Sequence, residues 1–265
     1  MSEEILINVT LMESRVALLE NGLLQEIFIE RHNRRGYVGD IFRGRVVRVM
    51  PGMEAAFVDI GLDRAAFIHN SDIVLLDADG CEQRDEISPP IQESLKDGQD
   101  IIVQVAKDAI SRKGARLTTH LTLPSRNLVF MPRNNHLGIS QRLEDEEERE
   151  RLLELLQQVL IQENWSGPGG FIVRTAAEGI EAEEFVEDVR FLKRLWDKVE
   201  QRIQRKDGVK AVYREVPLYM RTVRDLIRPE VEKIRVDNQE KFDEMVQFLE
   251  DFVPELDTRL ECYSG

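Results

Sequence analysis

Short apolar segments separated by glycines fill the chain between Tyr37 and about His120, and they restrict the possible fold more than any other feature. Segments of this length with turn residues between them are typical of strands in small barrels and sandwiches. A single long polar connection, residues 77–90, interrupts the series. Five short strands arranged in this way predict a small Greek-key barrel of the OB type. The five candidate strands are residues 42–49, 55–60, 65–68, 98–105 and 115–118.

The segments on either side of these strands predict a mixed α+β structure. Asn21-Gly22 joins two β-rich segments near the N-terminus and is a strong hairpin signal. Residues 216–265 predict a helix, a strand and a second helix, which is too little for a domain on its own. Together with the N-terminal hairpin they can form one domain, with the middle of the chain inserted into it. In that middle part, strands are predicted at 128–131 and 170–175 and amphipathic helices around 152–160 and 185–203.

The net charge of −14 over 265 residues argues against binding to nucleic acids, because phosphate affinity comes from lysine and arginine. The distribution of charge matters more than its sum, however. Between residues 107 and 116 four basic residues stand against one acid, Asp108, so a local basic stripe on an acidic protein is possible. The four are Lys107, Arg112, Lys113 and Arg116.

The N-terminal residues and the cysteines indicate a cytoplasmic protein without a membrane partner. The chain starts with an acidic segment that lacks the basic region of a secretory signal, and no stretch approaches the length of a membrane span. Cys81 and Cys262 do not form a CxxC pair, and two isolated cysteines predict free thiols in a reducing compartment.

Several motifs, in unbroken order along essentially the whole chain, resemble the ribonuclease E/G family. The most specific is GRVVRVMPGMEAAFVDIG at residues 44–61, which is similar to the S1-like RNA-binding domain of that family. The other matching segments are LINVT at 6–10, KGARLTT at 113–119, GISQR at 138–142, VRTA at 173–176, RVD at 235–237 and YSG at 263–265.

The resemblance implies an S1-like OB barrel and an α+β 5′-sensor inserted into a split RNase H-like subdomain. The implied bounds are 1–37 and 216–265 for the RNase H-like parts, 38–120 for the barrel and 121–215 for the sensor. In the family a DNase I-like domain follows, with two aspartates that bind Mg²⁺, and then a CxxC zinc-link for dimerisation. Neither is found in this sequence, so we expect no catalytic residue, no metal and no cofactor here, with Mg²⁺ and Zn²⁺ confined to a longer parent.

The candidate RNA-binding residues lie in the barrel segment. In OB folds, exposed aromatic side chains stack on unpaired bases. Phe57 and Phe67 lie on consecutive strands. Spacing alone favours the barrel interior for both, because aromatic side chains are usually core residues, whereas the resemblance implies that both contact RNA. Lys113, together with Arg112 and Lys107, offers charge for phosphates, and the alternative is an ordinary solvated strand end.

A second candidate site would hold a 5′-phosphate. Arg174 and Thr175 follow a short apolar strand, where a guanidinium and a hydroxyl can be offered together to a terminal phosphate. The resemblance assigns this role to the pair and adds Ser125, Val129 and, more weakly, Arg142. Without the resemblance, an ordinary surface arginine and threonine would be the simpler interpretation.

The sequence therefore predicts the part of a ribonuclease E/G-type endoribonuclease that binds single-stranded RNA, preferably with a 5′-monophosphate. The full-length parent would be a Mg²⁺-dependent hydrolase acting in rRNA maturation and mRNA turnover, as a homodimer or tetramer, whereas this chain alone is expected to bind without cutting. Two alternatives stay open: a stand-alone, non-catalytic RNA-binding adapter, and a scaffold or assembly module in which Phe57 and Phe67 are core residues.

Overall fold

The chain forms two compact units in a computed structural model. One unit combines both ends of the chain, Met1–Gly36 and Val216–Gly265, and the other is the continuous segment Tyr37–Glu215. They are called here the outer unit and the inner unit. The structure describes residues 2–74, 89–110, 113–165, 167–205, 208–226, 231–252 and 259–263.

The described residues form fifteen strands and five helices. The strands of the first half are β1 (Glu3–Val9), β2 (Glu13–Glu20), β3 (Leu23–Arg31), β4 (Ile41–Met50), β5 (Ala55–Asp59), β6 (Ala66–His69), β7 (Asp100–Lys107) and β8 (Arg116–Thr118). The remaining strands are β9 (Leu123–Pro124), β10 (Leu128–Met131), β11 (Leu137–Ile139), β12 (Gly170–Val173), β13 (Lys210–Tyr213), β14 (Val231–Val236) and β15 (Leu260–Cys262). The helices are α1 (Ile91–Ser94), α2 (Glu146–Gln162), α3 (Ala182–Gln204), α4 (Leu218–Leu226) and α5 (Gln239–Phe252).

The outer unit is a five-stranded sheet in the order β15-β14-β1-β2-β3, with α4 and α5 on one face. The hairpin between β2 and β3 turns at Asn21 and Gly22, which have φ angles of 49° and 78°. Such angles suit a two-residue hairpin turn, and they explain why asparagine and glycine stand there. Alternate residues of β1, Ile5 and Ile7, are buried against helix residues such as Met245.

The inner unit contains the predicted barrel. Its strands follow the order β4-β5-β6-β8-β7, and a second pairing between β4 and β7 closes the sheet on itself. Along β5, β6 and β8 every second residue points inward, and the barrel core includes Val46, Val58, Ile68 and Leu117. An OB-like barrel within an α+β protein is thus confirmed.

A second sheet of the inner unit, in the order β11-β12-β10-β9, packs against α2 and α3. Helix α3 begins with a capping box formed by Glu181 and Glu184. Its apolar stripe, which contains Phe185, Val189 and Leu192, is fully buried. This sheet and its helices form the α+β part of the inner unit.

Four of the strands were not predicted from the sequence: β9, β11, β13 and β15. Each has four residues or fewer, so none is long enough to display an alternating pattern. The candidate strand 170–175 was also too long, because it ends at Val173 and Thr175 begins a 3-10 turn. In the part of the chain that the structure describes, no helix has the length and apolar character needed to cross a membrane.

Candidate nucleic-acid interface

Phe57 and Phe67 lie side by side on the outer surface of the barrel. They occupy directly opposed positions on the antiparallel strands β5 and β6. Their neighbours Val58, Ala66 and Ile68 point inward and are completely buried, whereas Phe57 is 40% exposed and Phe67 half-buried. The alternation of a β-strand therefore puts both rings on the outside. The alternative in which they form barrel core is wrong.

A groove of about 560 Å³ lies over this aromatic pair. Lys113 and Arg64 contribute positive charge to its wall, and Met50 and Met53 contribute apolar surface. Lys113 is exposed, and its amide donates a 2.9 Å hydrogen bond to the carbonyl oxygen of Ile110. The groove thus combines aromatic faces with cations, the combination used to bind single-stranded nucleic acids.

Gly114 allows the segment before β8 to pass close to the start of β6. A Cβ atom at this position would overlap the carbonyl oxygen of Ala65 and approach the Cα atom of Ala66 to 3.2 Å. The segment is held there by a hydrogen bond of 2.9 Å from the amide of Phe67 to the carbonyl oxygen of Ala115. The absence of a side chain at Gly114 therefore determines how near Lys113 lies to the aromatic pair.

The other two basic candidates of this region have different positions. Lys107 is exposed at the end of β7, opposite Arg116 of β8, and it does not line the groove. Arg112 lies outside the described residues. Of the three candidate cations, the structure brings Lys113 to Phe57 and Phe67.

The candidate phosphate site lies at one edge of the four-stranded sheet. Strands β11 and β12 are parallel, so Arg142 and Arg174, which follow them, leave the sheet at the same edge. Strand β10 runs antiparallel to β12, and the segment 125–127 that precedes β10 therefore meets the same edge. Three loops with an arginine each converge there, and the third arginine is Arg126.

Hydrogen bonds tie Arg174 to the loop before β10. Its amide donates to the carbonyl oxygen of Asn127 at 2.8 Å. Its Nη1 donates to the carbonyl oxygen of Arg126 at 3.1 Å and also to that of Ser125. Thr175 is exposed at the first residue of the 3-10 turn. The guanidinium is consequently held at this edge, beside an exposed hydroxyl.

The remaining residues of this candidate site differ in accessibility. Arg142 is exposed and Val129 is half-buried on β10. Ser125 is only 1% exposed, and its hydroxyl donates a 3.1 Å hydrogen bond to the carbonyl oxygen of Leu128. A direct contact between the Ser125 side chain and a phosphate is therefore not available in this conformation. Its carbonyl oxygen instead orients Arg174.

Two family models match this chain. A family model described as S1 RNA binding domain matches residues 37–119. The ribonuclease E/G family model matches residues 122–265, more than half of the chain. The chain belongs to the ribonuclease E/G family.

Relatives from this family match along nearly the whole chain. Ribonuclease G of Haemophilus influenzae is 50% identical over 264 residues, which are 99% of this chain and 53% of that protein. Ribonuclease G of Escherichia coli K12 is 48% identical over 267 residues, 100% of this chain and 54% of that protein. Ribonuclease E of H. influenzae is 33% identical over 99% of this chain and 28% of its own length. The chain spans about half the length of these ribonuclease G relatives.

One residue near the candidate phosphate site of this ribonuclease E/G family member could not be assigned from the sequence. Asp188 lies in α3 and is 8% exposed, and its carboxylate accepts a 2.8 Å hydrogen bond from the amide of Asn127. The sequence feature that could have identified Asp188 is its position three residues after Phe185, which puts a charged residue on the apolar stripe of the helix. An acid at such a position either has a buried partner or is strongly destabilising.

Proposed function

We propose that this chain binds single-stranded RNA across the outer face of its barrel and holds the 5′-monophosphate of the same strand at the edge of its second sheet. The observation that carries this proposal is the cross-strand pair of Phe57 and Phe67, exposed beside Lys113 in one groove. Two rings at neighbouring strand positions suit successive unpaired bases, because every base has a face that can stack.

The basic edge of the four-stranded sheet supports the second part of the proposal. A guanidinium carries five N–H donors in a planar fork, and bidentate contacts to phosphate are among the strongest charge-assisted hydrogen bonds. The bonds from Nη1 of Arg174 to the loop carbonyls orient the rest of that fork. Thr175 and Arg142 would add a hydroxyl and a second charge. This site favours a terminal phosphate over an uncharged 5′-hydroxyl.

The whole protein would be an RNA-cleaving hydrolase in which this segment grips the substrate. Each relative described above is a ribonuclease by name, and the chain spans about half the length of the ribonuclease G relatives. Anchoring the 5′ end raises the effective concentration of the remaining strand near the site of hydrolysis. Residues 1–265 alone would then bind RNA without cutting it, and Mg²⁺ would act in the whole protein.

The test is a fluorescence-anisotropy titration of a short single-stranded RNA that carries either a 5′-monophosphate or a 5′-hydroxyl. We expect tighter binding of the monophosphate and a loss of this difference in Arg174→Ala. Arg205→Ala is the matched control, since it removes an exposed arginine at the far end of α3. Equal binding of both RNAs by the wild-type chain would remove the sensor role and leave a general RNA-binding barrel.

The same samples test the other parts of the proposal. RNA is incubated with Mg²⁺ and examined on a denaturing gel, where we expect it to stay intact; cleavage that survives Arg174→Ala would reveal an unrecognised active site. Absence of any salt-sensitive binding would favour a scaffold module instead. The homodimer or tetramer of the parent, the cytoplasmic location and the four subdomain bounds stay predictions.

A further inference from the structure

Arg48 lies directly beside the aromatic pair, on the side away from Lys113. Phe57 is in register with Phe67 of β6 on one side and with Arg48 of β4 on the other. In the strand order β4-β5-β6-β8, Arg48 is therefore on the first strand and Lys113 lies three residues before the start of the last. The two cations flank the two rings.

A bulge in β4 is responsible for the outward direction of Arg48. Strict alternation from the buried Val46 would turn residue 48 into the barrel. The register shifts between Val46 and Arg48, so that Arg48 opposes Phe57 while Val49 opposes the buried Ala56. One extra residue in a strand reverses the side to which the following residues point. Arg48 is accordingly exposed, on the same surface as Phe57.

The charge of Arg48 is not neutralised by a neighbouring carboxylate within the described part of the chain. Arg45, three residues earlier on β4, forms an ion pair of 3.0 Å with Asp100 and lies opposite Asp59. Arg116, the neighbour of Phe67 on β8, donates two hydrogen bonds of 2.8 and 3.1 Å to Asp72. Arg48 forms no ion pair with any carboxylate that the structure describes. On this face, Arg48 thus adds positive charge at β4 to that of Lys113 and Arg64 in the groove, whereas Arg45 and Arg116 are paired with carboxylates.

The separation of the two cations suits a strand of RNA whose bases cover the rings. Neighbouring strands are about 4.8 Å apart, so the three spacings from β4 to β8 measure about 14 Å. Binding sites on OB folds begin at about four nucleotides, which is enough chain to cross that distance.

We infer that Arg48 is a further RNA-binding residue, which contacts the phosphate backbone where the strand leaves the aromatic pair over β4. This inference rests on the proposed function, because it needs an RNA strand on the barrel face. It also specifies the path of the RNA, which crosses the sheet from the groove at Lys113, over Phe67 and Phe57, to Arg48.

The experiment compares Arg48→Gln, Arg48→Lys and Arg45→Gln in the whole chain. Affinity for a single-stranded oligonucleotide is measured over a range of salt concentrations. One lost phosphate contact reduces the slope of log K against log salt by about 0.7 for single strands. We expect this reduction and a severalfold weaker binding in Arg48→Gln, a slope near that of the wild type in Arg48→Lys, and an unchanged slope in Arg45→Gln.

Arg45→Gln is a strict control, because it removes the same charge from the same outer face of the same strand. Thermal unfolding of all variants by circular dichroism verifies that the barrel is intact. If the wild type binds and Arg48→Gln has the slope of Arg45→Gln, the inference about Arg48 is overturned while the barrel site stands. If the wild type does not bind RNA at all, the proposed function fails and the inference fails with it.

Discussion

The amide of Asn127 donates a hydrogen bond of 2.8 Å to the carboxylate of Asp188, and both residues are buried. This bond attaches the loop before β10 to α3. The same loop provides the carbonyl oxygens of Ser125 and Arg126 that hold the guanidinium of Arg174. A buried acid in a helix thereby supports the backbone of the proposed phosphate site without reaching its surface.

Asp188 predicts a dependence of stability on pH near neutrality. Burial raises the pKa of its carboxyl group to about 7, against the opposing effect of the hydrogen bond from the amide of Asn127. The folded protein therefore holds this proton more tightly than the unfolded chain. As the pH rises from about 4 to about 7, this group lowers the free energy of unfolding, by at most about 4 kcal/mol.

Asp188→Asn isolates this effect, because an amide keeps the acceptor oxygen but does not titrate. We expect the variant to gain stability relative to the wild type as the pH is raised from 5 to 8, measured by urea unfolding at each pH. Loosening of the loop before β10 in the wild type as the pH rises should also weaken its preference for 5′-monophosphorylated RNA. A stability difference that is constant over this pH range would contradict the prediction.

Much of the fold was predictable because the sequence pattern of each short segment indicates its secondary structure. Alternation along β5 and β6, the Asn21-Gly22 turn and the stripe of α3 each lie within one short segment, so each could be read without tertiary information. The barrel and the α+β character followed from them. The outward position of Phe57 could not be decided in this way, because an alternating strand does not reveal which of its faces is buried.

The features that escaped prediction depend on distant segments. Strand β13 pairs with β4 although more than 160 residues lie between Arg43 and Lys210, and its four residues carry no pattern of their own. Arg48 would face the barrel interior without the bulge. The importance of Asp188 depends on a loop about 60 residues earlier in the chain. Such relationships arise from tertiary packing and cannot be obtained from periodicity.

Truncation of Phe57 tests base stacking on the barrel. Phe57→Ala should weaken binding of single-stranded RNA by about 1–3 kcal/mol, because one stacking surface is lost. Stability should change little, since the ring is on the outside of the barrel. Ile161→Ala, which truncates a residue of α2 that is 79% exposed, is the control for loss of surface apolar area. Equal affinities of the two variants in anisotropy titrations would argue against stacking at Phe57.

Substitution of Gly114 tests the close approach of β6 and the segment before β8. The added Cβ of Gly114→Ala would collide with the backbone at Ala65, and overpacking of this kind costs about 1–3 kcal/mol. The melting temperature and the affinity for RNA should therefore both fall. Gly52→Ala is the matched control, because a Cβ there meets no atom within 4 Å. A melting temperature of Gly114→Ala equal to that of the control would show that the segment shifts without cost.

Glu148 predicts a stability effect at acidic pH. Its carboxylate accepts hydrogen bonds from Arg151 at 2.7 and 2.8 Å and from the amide of Gly179 at 2.8 Å. The bonds to Arg151 lower the pKa of Glu148 to about 2. The stabilisation is therefore complete above the ordinary glutamate pKa and is lost as the pH falls toward 2.

Glu148→Gln should destabilise the protein by about 1 kcal/mol at neutral pH, since Arg151 is partly exposed to solvent. The difference from the wild type should shrink in acid. Glu147→Gln removes the adjacent exposed carboxylate and serves as the control. The measurement is thermal unfolding at pH 7 and pH 3, and an equal effect of both substitutions at pH 7 would refute the role of the Arg151 pair.

The parallel pairing of β1 with β14 has a consequence for synthesis of the chain on the ribosome. Strand β14 begins at Val231, some 220 residues after β1 ends, so β1 cannot pair with it until that whole stretch has been made. Within the inner unit, the amide of Glu215 donates a 2.8 Å hydrogen bond to the carboxylate of Asp40. Once that unit has folded, its two ends are adjacent, and the entropy cost of joining β1 to β14 becomes that of a short loop. The inner unit thus acts as a folding template, and a variant that delays its folding would leave β1 to β3 exposed as an unfinished sheet during translation.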